Sequence, residues 1–313
     1  MSDSHLLLAQ ALTHELRLPE RVVGMEFLGK GFSTDRKYVL SSERGPEYLL
    51  RVSDLAEEPR RRQDCEMLAR LSGAGVACPR PLHFGTRPEQ GLCFMVVTYL
   101  PGEGADEALP ALTPVQQHEI GLQAGVELAK IHRALSPPAP VDDYAVWSGK
   151  HARNRSRVQE LGITFHGQDQ AERYVAAHLH LLRDRPTVLR HGDYHPGNLV
   201  VQGGAFVGVV DFNRCDWGDP VDEFYKLAFF GAPVSEEYAR GQLLGYFGGP
   251  PPGEFWPIYN LYVAMALSGD IAWTERNWPQ YLPRSLELIE VIARTHDFED
   301  GRPPEWWRGG PSR

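Results

Sequence analysis

Two polar clusters separated by a short β-rich stretch have the residue types and spacing to do chemistry. The first is His191-Gly192-Asp193-Tyr194-His195-Pro196-Gly197-Asn198, and the second is Val209-Val210-Asp211-Phe212-Asn213. Transfer of a terminal phosphate from a nucleotide to a hydroxyl needs one carboxylate that orients the acceptor and takes its proton. It also needs oxygen ligands for one or two Mg²⁺ ions that neutralise the phosphates. Asp193 suits the first task. Asn198, in the same loop, offers an uncharged amide oxygen to a hard cation, and Asp211 offers a charged one. Between them, residues 199–210 place β-branched runs around Gly203-Gly204, a pattern that predicts a hairpin returning Asp211 beside Asn198. Taken singly, either acid could instead cap a turn.

The order of loop, strand pair and Asp-Phe follows the protein-kinase signature. Here His-Gly-Asp and Asp-Phe-Asn stand in place of His-Arg-Asp and Asp-Phe-Gly, and Gly218-Asp219-Pro220 and Asp222-Glu223 follow. With these features the chain resembles the aminoglycoside phosphotransferase and choline kinase-like family from about residue 20 to 230. The resemblance implies an α+β, bilobal, protein-kinase-like fold. A small antiparallel-sheet N-lobe over residues 1–100 would bind nucleotide, and a larger, mainly helical C-lobe over 101–313 would carry catalysis and substrate binding. The hinge would fall at about 98–102.

On that footing the nucleotide-binding residues can be named. Residues 22–40 read as strand, glycine turn, strand. Gly29 and Gly31 would let backbone amides approach phosphates, with Ser33 and Thr34 as hydroxyl donors, although an ordinary hairpin has the same signature. The third strand, residues 47–53, puts Arg51 where the family has lysine. Arginine keeps its charge and can hold two phosphate oxygens at once. The family's glutamate on the following helix falls on Asp64, with Glu66 as competitor, so a longer cation would meet a shorter acid. Residues 91–102 read as a buried strand ended by Pro-Gly. By resemblance, backbone groups around Thr98 and Leu100 would bond the adenine edge.

Around Asp193, His191 and His195 read as braces for the loop, and Asp219 reads as the cap of a helix containing Asp222 and Glu223. The resemblance places the acceptor between this loop and the helices after Gly-Asp-Pro. Asp216, Glu223, Asp270 and Glu275 are the candidate carboxylates, and Trp217, Tyr225 and Trp273 the aromatic walls. Acids suit an amino sugar, and aromatic faces suit a quaternary ammonium. The expected reaction is phosphorylation of a hydroxyl on a small, cationic molecule by ATP with Mg²⁺, GTP remaining open as donor. An aminoglycoside or amino sugar leads as acceptor. A choline-like or homoserine-like alcohol, or a protein serine, is the alternative, as is a nucleotide-binding regulatory module without transfer.

Composition fits an enzyme of this kind. The chain has 313 residues, 42% hydrophobic and 23% charged, with a net charge of −9, which argues against a nucleic-acid partner. Cys65, Cys78, Cys93 and Cys215 show no metal-binding spacing and read as reduced thiols of a cytoplasmic protein. The apolar run from Leu6 to Leu12 reads as an amphipathic first helix rather than a leader. No apolar stretch reaches the roughly 18 residues of a membrane span. A helix is expected from Pro114 to Ala134, capped by Thr113, with Pro137-Pro138-Ala139-Pro140 beyond its end. The basic stretch Lys150–Arg157 reads as a solvated face ahead of a helix at about 169–182. Gly301–Arg313 reads as a frayed tail anchored by Trp306 and Trp307.

Overall fold

The computed structural model describes residues 11–12, 16, 18–29 and 35–308. Its compact units are residues 1–103 with 200–203 and 207–213, and residues 104–199 with 204–206 and 214–313.

The first unit is built on one five-stranded antiparallel sheet. The strands β1 (Gly24–Leu28), β2 (Arg36–Ser42), β3 (Gly45–Asp54), β4 (Pro81–Arg87) and β5 (Leu92–Thr98) lie in the order β1-β2-β3-β5-β4. Side chains alternate across a strand, and the sequence uses that period. Tyr38 and Leu40, Tyr48, Leu50 and Val52, and Leu92, Phe94 and Val96 form one buried cluster. The opposite parity sends Lys37, Arg51 and Ser53 to the other face, and the register sets Lys37 directly across from Arg51. Helix α1 (Glu58–Gly73) follows β3 and packs on β4 and β5, so the apolar run of β5 is buried on both sides. The expected hairpin is present as β7 (Leu199–Gln202) and β8 (Ala205–Val209). Gly203 and Gly204 turn it with φ of 58° and 79°, the positive pair that a two-residue turn matched to strand twist requires.

In the second unit, α2 (Pro114–Ala134) starts where the sequence places it. Thr113 accepts from the Gln116 amide, and the Gln116 side chain reaches back to the Thr113 amide, a reciprocal cap. Helix α3 (Asp143–Glu160) contains the basic stretch. Its charges have partners within the unit: Arg155 meets Glu172, Arg157 meets Glu160 and Glu275, and Lys150 lies over the Trp147 ring at 3.9 Å. Helix α4 (Gln168–His178) ends sooner than expected and tightens into a 3₁₀ turn at Leu179–Leu182. The strand pair β6 (Val188–Arg190) and β9 (Asp216–Gly218) comes next. Helices α5 (Glu236–Phe247), α6 (Phe255–Asn277) and α7 (Leu282–Thr295) complete the unit. Helix α6 is buried along most of its length and packs against α3, α4 and α7. Trp306 is buried, and its carbonyl accepts from Arg240 Nε at 2.7 Å. No helix among the described residues is long and apolar enough to cross a membrane.

Helices α2 and α5 cross on glycine. A Cβ on Gly121 would lie 2.2 Å from the Tyr238 carbonyl oxygen, on Gly125 2.1 Å from that of Gln242, and on Gly245 2.0 Å from that of Leu122. Backbone cannot move aside as a side-chain tip can, so Gly125→Ala should destabilise by at least about 1–3 kcal/mol, the usual range for overpacking. A denaturant midpoint that falls at unchanged slope would register this.

Candidate active site

Strand β6 delivers the chain into the 191–198 loop, and the loop is fixed at both ends. Gly192 has a φ of 78°, and a Cβ there would lie 2.2 Å from the Arg214 carbonyl oxygen. Only glycine satisfies both conditions. The Asp193 amide donates to His191 Nδ1 at 3.2 Å, and the Tyr194 hydroxyl donates to the Ala124 carbonyl of α2 at 2.6 Å. His195 Nδ1 accepts from the Gly197 amide at 3.1 Å. Both histidines therefore act as the braces the sequence suggests. Asn198 Nδ2 donates to the Asp193 carbonyl at 2.9 Å, which commits its NH₂ to the loop and turns its amide oxygen, a hard donor suited to Mg²⁺, the other way.

Beneath the loop is a buried charge cluster. Glu223 is 2% exposed and accepts from the His191 amide at 2.7 Å and the Gly192 amide at 2.9 Å. Burial, with Asp222 adjacent, pushes its carboxyl up to about 7. Arg190 holds Asp216 through Nε at 2.9 Å and Nη2 at 2.7 Å, and Nη1 holds Asp222. Asp219 accepts from the Val221 amide as cap of the short 3₁₀ helix Pro220–Phe224, and it also binds Arg185 and the Tyr262 hydroxyl.

The Asp193 carboxylate faces two cations, Lys226 and Arg214, and the ring of His195, whose charged form burial disfavours. Lys226 Nζ lies 2.7 Å from Oδ1, His195 Nε2 3.7 Å from Oδ1, and Arg214 Nη1 3.5 Å from Oδ2. Burial alone would raise its pKa, but these groups, Lys226 foremost, outweigh it and hold the carboxyl below its ordinary value. Sequence reasoning missed Lys226. Its signal was the spacing from Glu223, since residues three apart on a tight helix share a face.

In the first unit the pairing of Arg51 with Asp64 is not found. Arg51 Nε donates to Asp35 Oδ2 at 3.1 Å, and the other Asp35 oxygen takes Ser53 at 2.7 Å and Arg61 at 3.1 Å. Asp64 instead accepts from Arg61 at 2.9 Å. Arg61 precedes Asp64 by one helical turn and reaches it locally, while Asp35, at the mouth of β2, lies on the Arg51 face. Burial would raise the Asp35 carboxyl, yet Arg51, Ser53 and Arg61 together lower it. Lys37, across from Arg51, is a second cation the sequence reading passed over. Burial and Arg51 lower its pKa, with Asp211 and Asp35 opposing them. Asp211 is exposed with a φ of 68°, a conformation that is costly for a non-glycine residue and recurs at functional sites. Gly29 directly follows β1, whereas Gly31, Ser33 and Thr34 lie outside the described residues. The Thr98 amide donates to the Arg80 carbonyl at 2.9 Å, so that donor is committed within the protein and does not face a ligand. Leu100 is half-buried near Gly208.

The acceptor candidates do not gather as one set of open carboxylates. Glu223 lies under the loop as its anchor and does not face an acceptor. Asp216 is bonded by Arg190, Glu275 by Arg157 at 2.8 Å, and Asp270 by the Ser285 hydroxyl. Trp273 is 50% exposed on α6. Tyr225 meets the Trp147 ring edge-on at 6.4 Å. Two outcomes follow from this geometry. Arg51→Ala should raise the nucleotide concentration needed for half-saturation, and an unchanged titration would exclude a phosphate contact. Asp35→Ala, which strips a buried carboxylate from two guanidinium groups, should cost about 3–5 kcal/mol of stability, read from thermal unfolding.

Comparison with known proteins places the chain in a family and a fold. The profile of the phosphotransferase enzyme family matches residues 24–256. A glucosamine kinase from Streptacidiphilus jiangxiensis is 30% identical over 183 residues, which is 50% of this chain and 40% of that protein. The GDP and kanamycin complex of APH(2")-IIia superposes with a TM-score of 0.67 at 15% identity, covering 92% of this chain and 99% of that one. The ternary complex of a thermostable mutant of aminoglycoside phosphotransferase APH(4)-Ia with ADP and hygromycin B gives a TM-score of 0.64 at 15% identity, covering 96% and 100%. At such identities the likeness is one of fold, the protein-kinase-like fold of an antiparallel-sheet unit and a helical unit. The family profile spans well over half of the sequence and includes the 191–198 loop and Asp211. The chain belongs to the phosphotransferase enzyme family.

Proposed function

We propose that the protein is an ATP- and Mg²⁺-dependent kinase that phosphorylates a hydroxyl group of a small molecule, with an amino sugar or aminoglycoside as the leading acceptor. The observation that carries this reading is the Asp193 carboxylate. It is presented by a loop that glycine, two histidines and a buried glutamate hold in one conformation, and Lys226 and Arg214 favour its ionised form. A general base needs a fixed position and an available lone pair. Asn198 and Asp211 are the proposed Mg²⁺ ligands. Both offer hard oxygens, and Asn198 already has its amide oriented by the Asp193 carbonyl. The bound ion would neutralise charge on the phosphates. Arg51, with Lys37 beside it, is the proposed phosphate contact, and the segment around Leu100 the proposed adenine contact.

The glucosamine kinase match and the kanamycin and hygromycin B complexes support a sugar-like acceptor. The pairing of Asp216, Asp270 and Glu275 with side chains of the protein favours a second reading, an alcohol carrying few positive charges.

The test is release of nucleoside diphosphate from Mg·ATP, and in parallel from Mg·GTP, across amino sugars, choline-like and homoserine-like alcohols and a protein acceptor. One class should stimulate release. Asp193→Asn should leave nucleotide binding little changed while cutting turnover by about 10²–10⁴-fold, the usual worth of a positioned base. Normal turnover in that variant would refute the assignment.

A further inference from the structure

We propose that Lys226 is the positioning residue of the transfer reaction: its ammonium clamps Asp193 Oδ1, so that Oδ2 is the oxygen offered to the acceptor hydroxyl. The inference rests on the kinase reading above and names a part of that site which neither the sequence motifs nor the family match assigns.

The geometry begins with the segment that carries Lys226. Asp219 caps the helix Pro220–Phe224, Tyr225 and Lys226 continue it, and residues 227–231 then widen into a π-turn closed by the Ala232 amide on the Leu227 carbonyl at 2.8 Å. Such turns are uncommon and concentrate at functional sites. Glu223 and Lys226, three residues apart, both reach the 191–193 loop. Glu223 holds its backbone through two amides, and Lys226 holds its side chain at 2.7 Å. One short segment thus sets both where Asp193 sits and how its carboxylate is turned.

The two carboxylate oxygens are not equivalent. Lys226 is 7% exposed and lies beside the Tyr225 ring at 5.2 Å and the Phe230 ring at 5.8 Å, which limit its swing. Burial opposes its charge, but the Tyr225 and Asp193 side chains outweigh that and keep it protonated. The cation nearest Oδ2, Arg214, stands at 3.5 Å with a side chain 56% exposed, and an exposed arginine tip yields readily to an incoming group. In the transfer the acceptor O–H bond breaks and its proton passes to Oδ2. The acceptor oxygen bonds to the terminal phosphorus, the bond from phosphorus to the bridging oxygen breaks, and the nucleoside diphosphate leaves. Lys226 keeps its proton throughout and holds the carboxylate plane while charge moves off it.

The test compares wild type with Lys226→Ala and with the double variant Asp193→Asn/Lys226→Met. In Lys226→Ala, kcat should fall by about 10²-fold, the loss expected of a misplaced reacting group, while affinity for Mg·nucleotide is unchanged. Added methylammonium or ethylammonium should restore turnover saturably. A structural role would not respond to amine. The double variant, which removes both charges together, should unfold near the wild-type temperature. Turnover within a few-fold of wild type in Lys226→Ala, a parallel loss of nucleotide affinity, or no recovery with amine would each overturn the proposal. Should the wild type turn over no acceptor, the kinase reading fails by itself. The clamp is then read without activity by ¹⁵N NMR of labelled lysine. A protected ammonium signal that disappears in Lys226→Arg and shifts in Asp193→Asn supports it, and a signal indifferent to Asp193→Asn overturns it.

Discussion

A carboxylate can act as a base only if something else fixes it, and in the role proposed for Asp193 that task falls to a second acid that is almost wholly buried. Glu223 lies under the loop and takes the amides of His191 and Gly192. Those amides can be aligned only because Gly192 adopts a left-handed conformation against the Arg214 carbonyl. Burying an acid without partners is costly, so Glu223 and the loop geometry stabilise each other. Arg190, with Asp216 and Asp222, ties the preceding strand into the same cluster, and Asp219 with Arg185 and Tyr262 fixes the next helix.

The sheet unit solves a similar problem with the signs reversed. Asp35 is the shared acid on which two arginines and a serine converge. Charge-assisted contacts of this kind are the strong ones, and they hold Arg51 to a defined direction on the face it shares with Lys37. A phosphate arriving there would meet an oriented guanidinium rather than a freely rotating one. The acid that Arg51 meets thus comes from the residue before the second strand and not from the helix.

Much of this was legible in the sequence. The loop with its aspartate and asparagine, the hairpin through Gly203-Gly204, the Thr113 cap and the strands at 47–53 and 91–102 all rest on local rules, and local rules act on neighbouring residues. The failures share one cause. The partner of Arg51, the buried position of Glu223 and the ammonium on Asp193 all depend on which faces meet after folding. A strand register and a tight helical turn decide that, and neither can be counted from motif spacing. Nor does a sequence say which of the acceptor carboxylates already have partners within the protein.

The glycine crossing of α2 and α5 bears on how such a protein can change over time. Ala124, between Gly121 and Gly125, supplies the carbonyl that receives Tyr194, so the interval between the two helices also sets the height of the loop. Drift at those glycines would therefore reach the 191–198 loop through the Ala124 carbonyl. The exposed face of α3 carries no such constraint, so its side chains can change without altering the platform beneath.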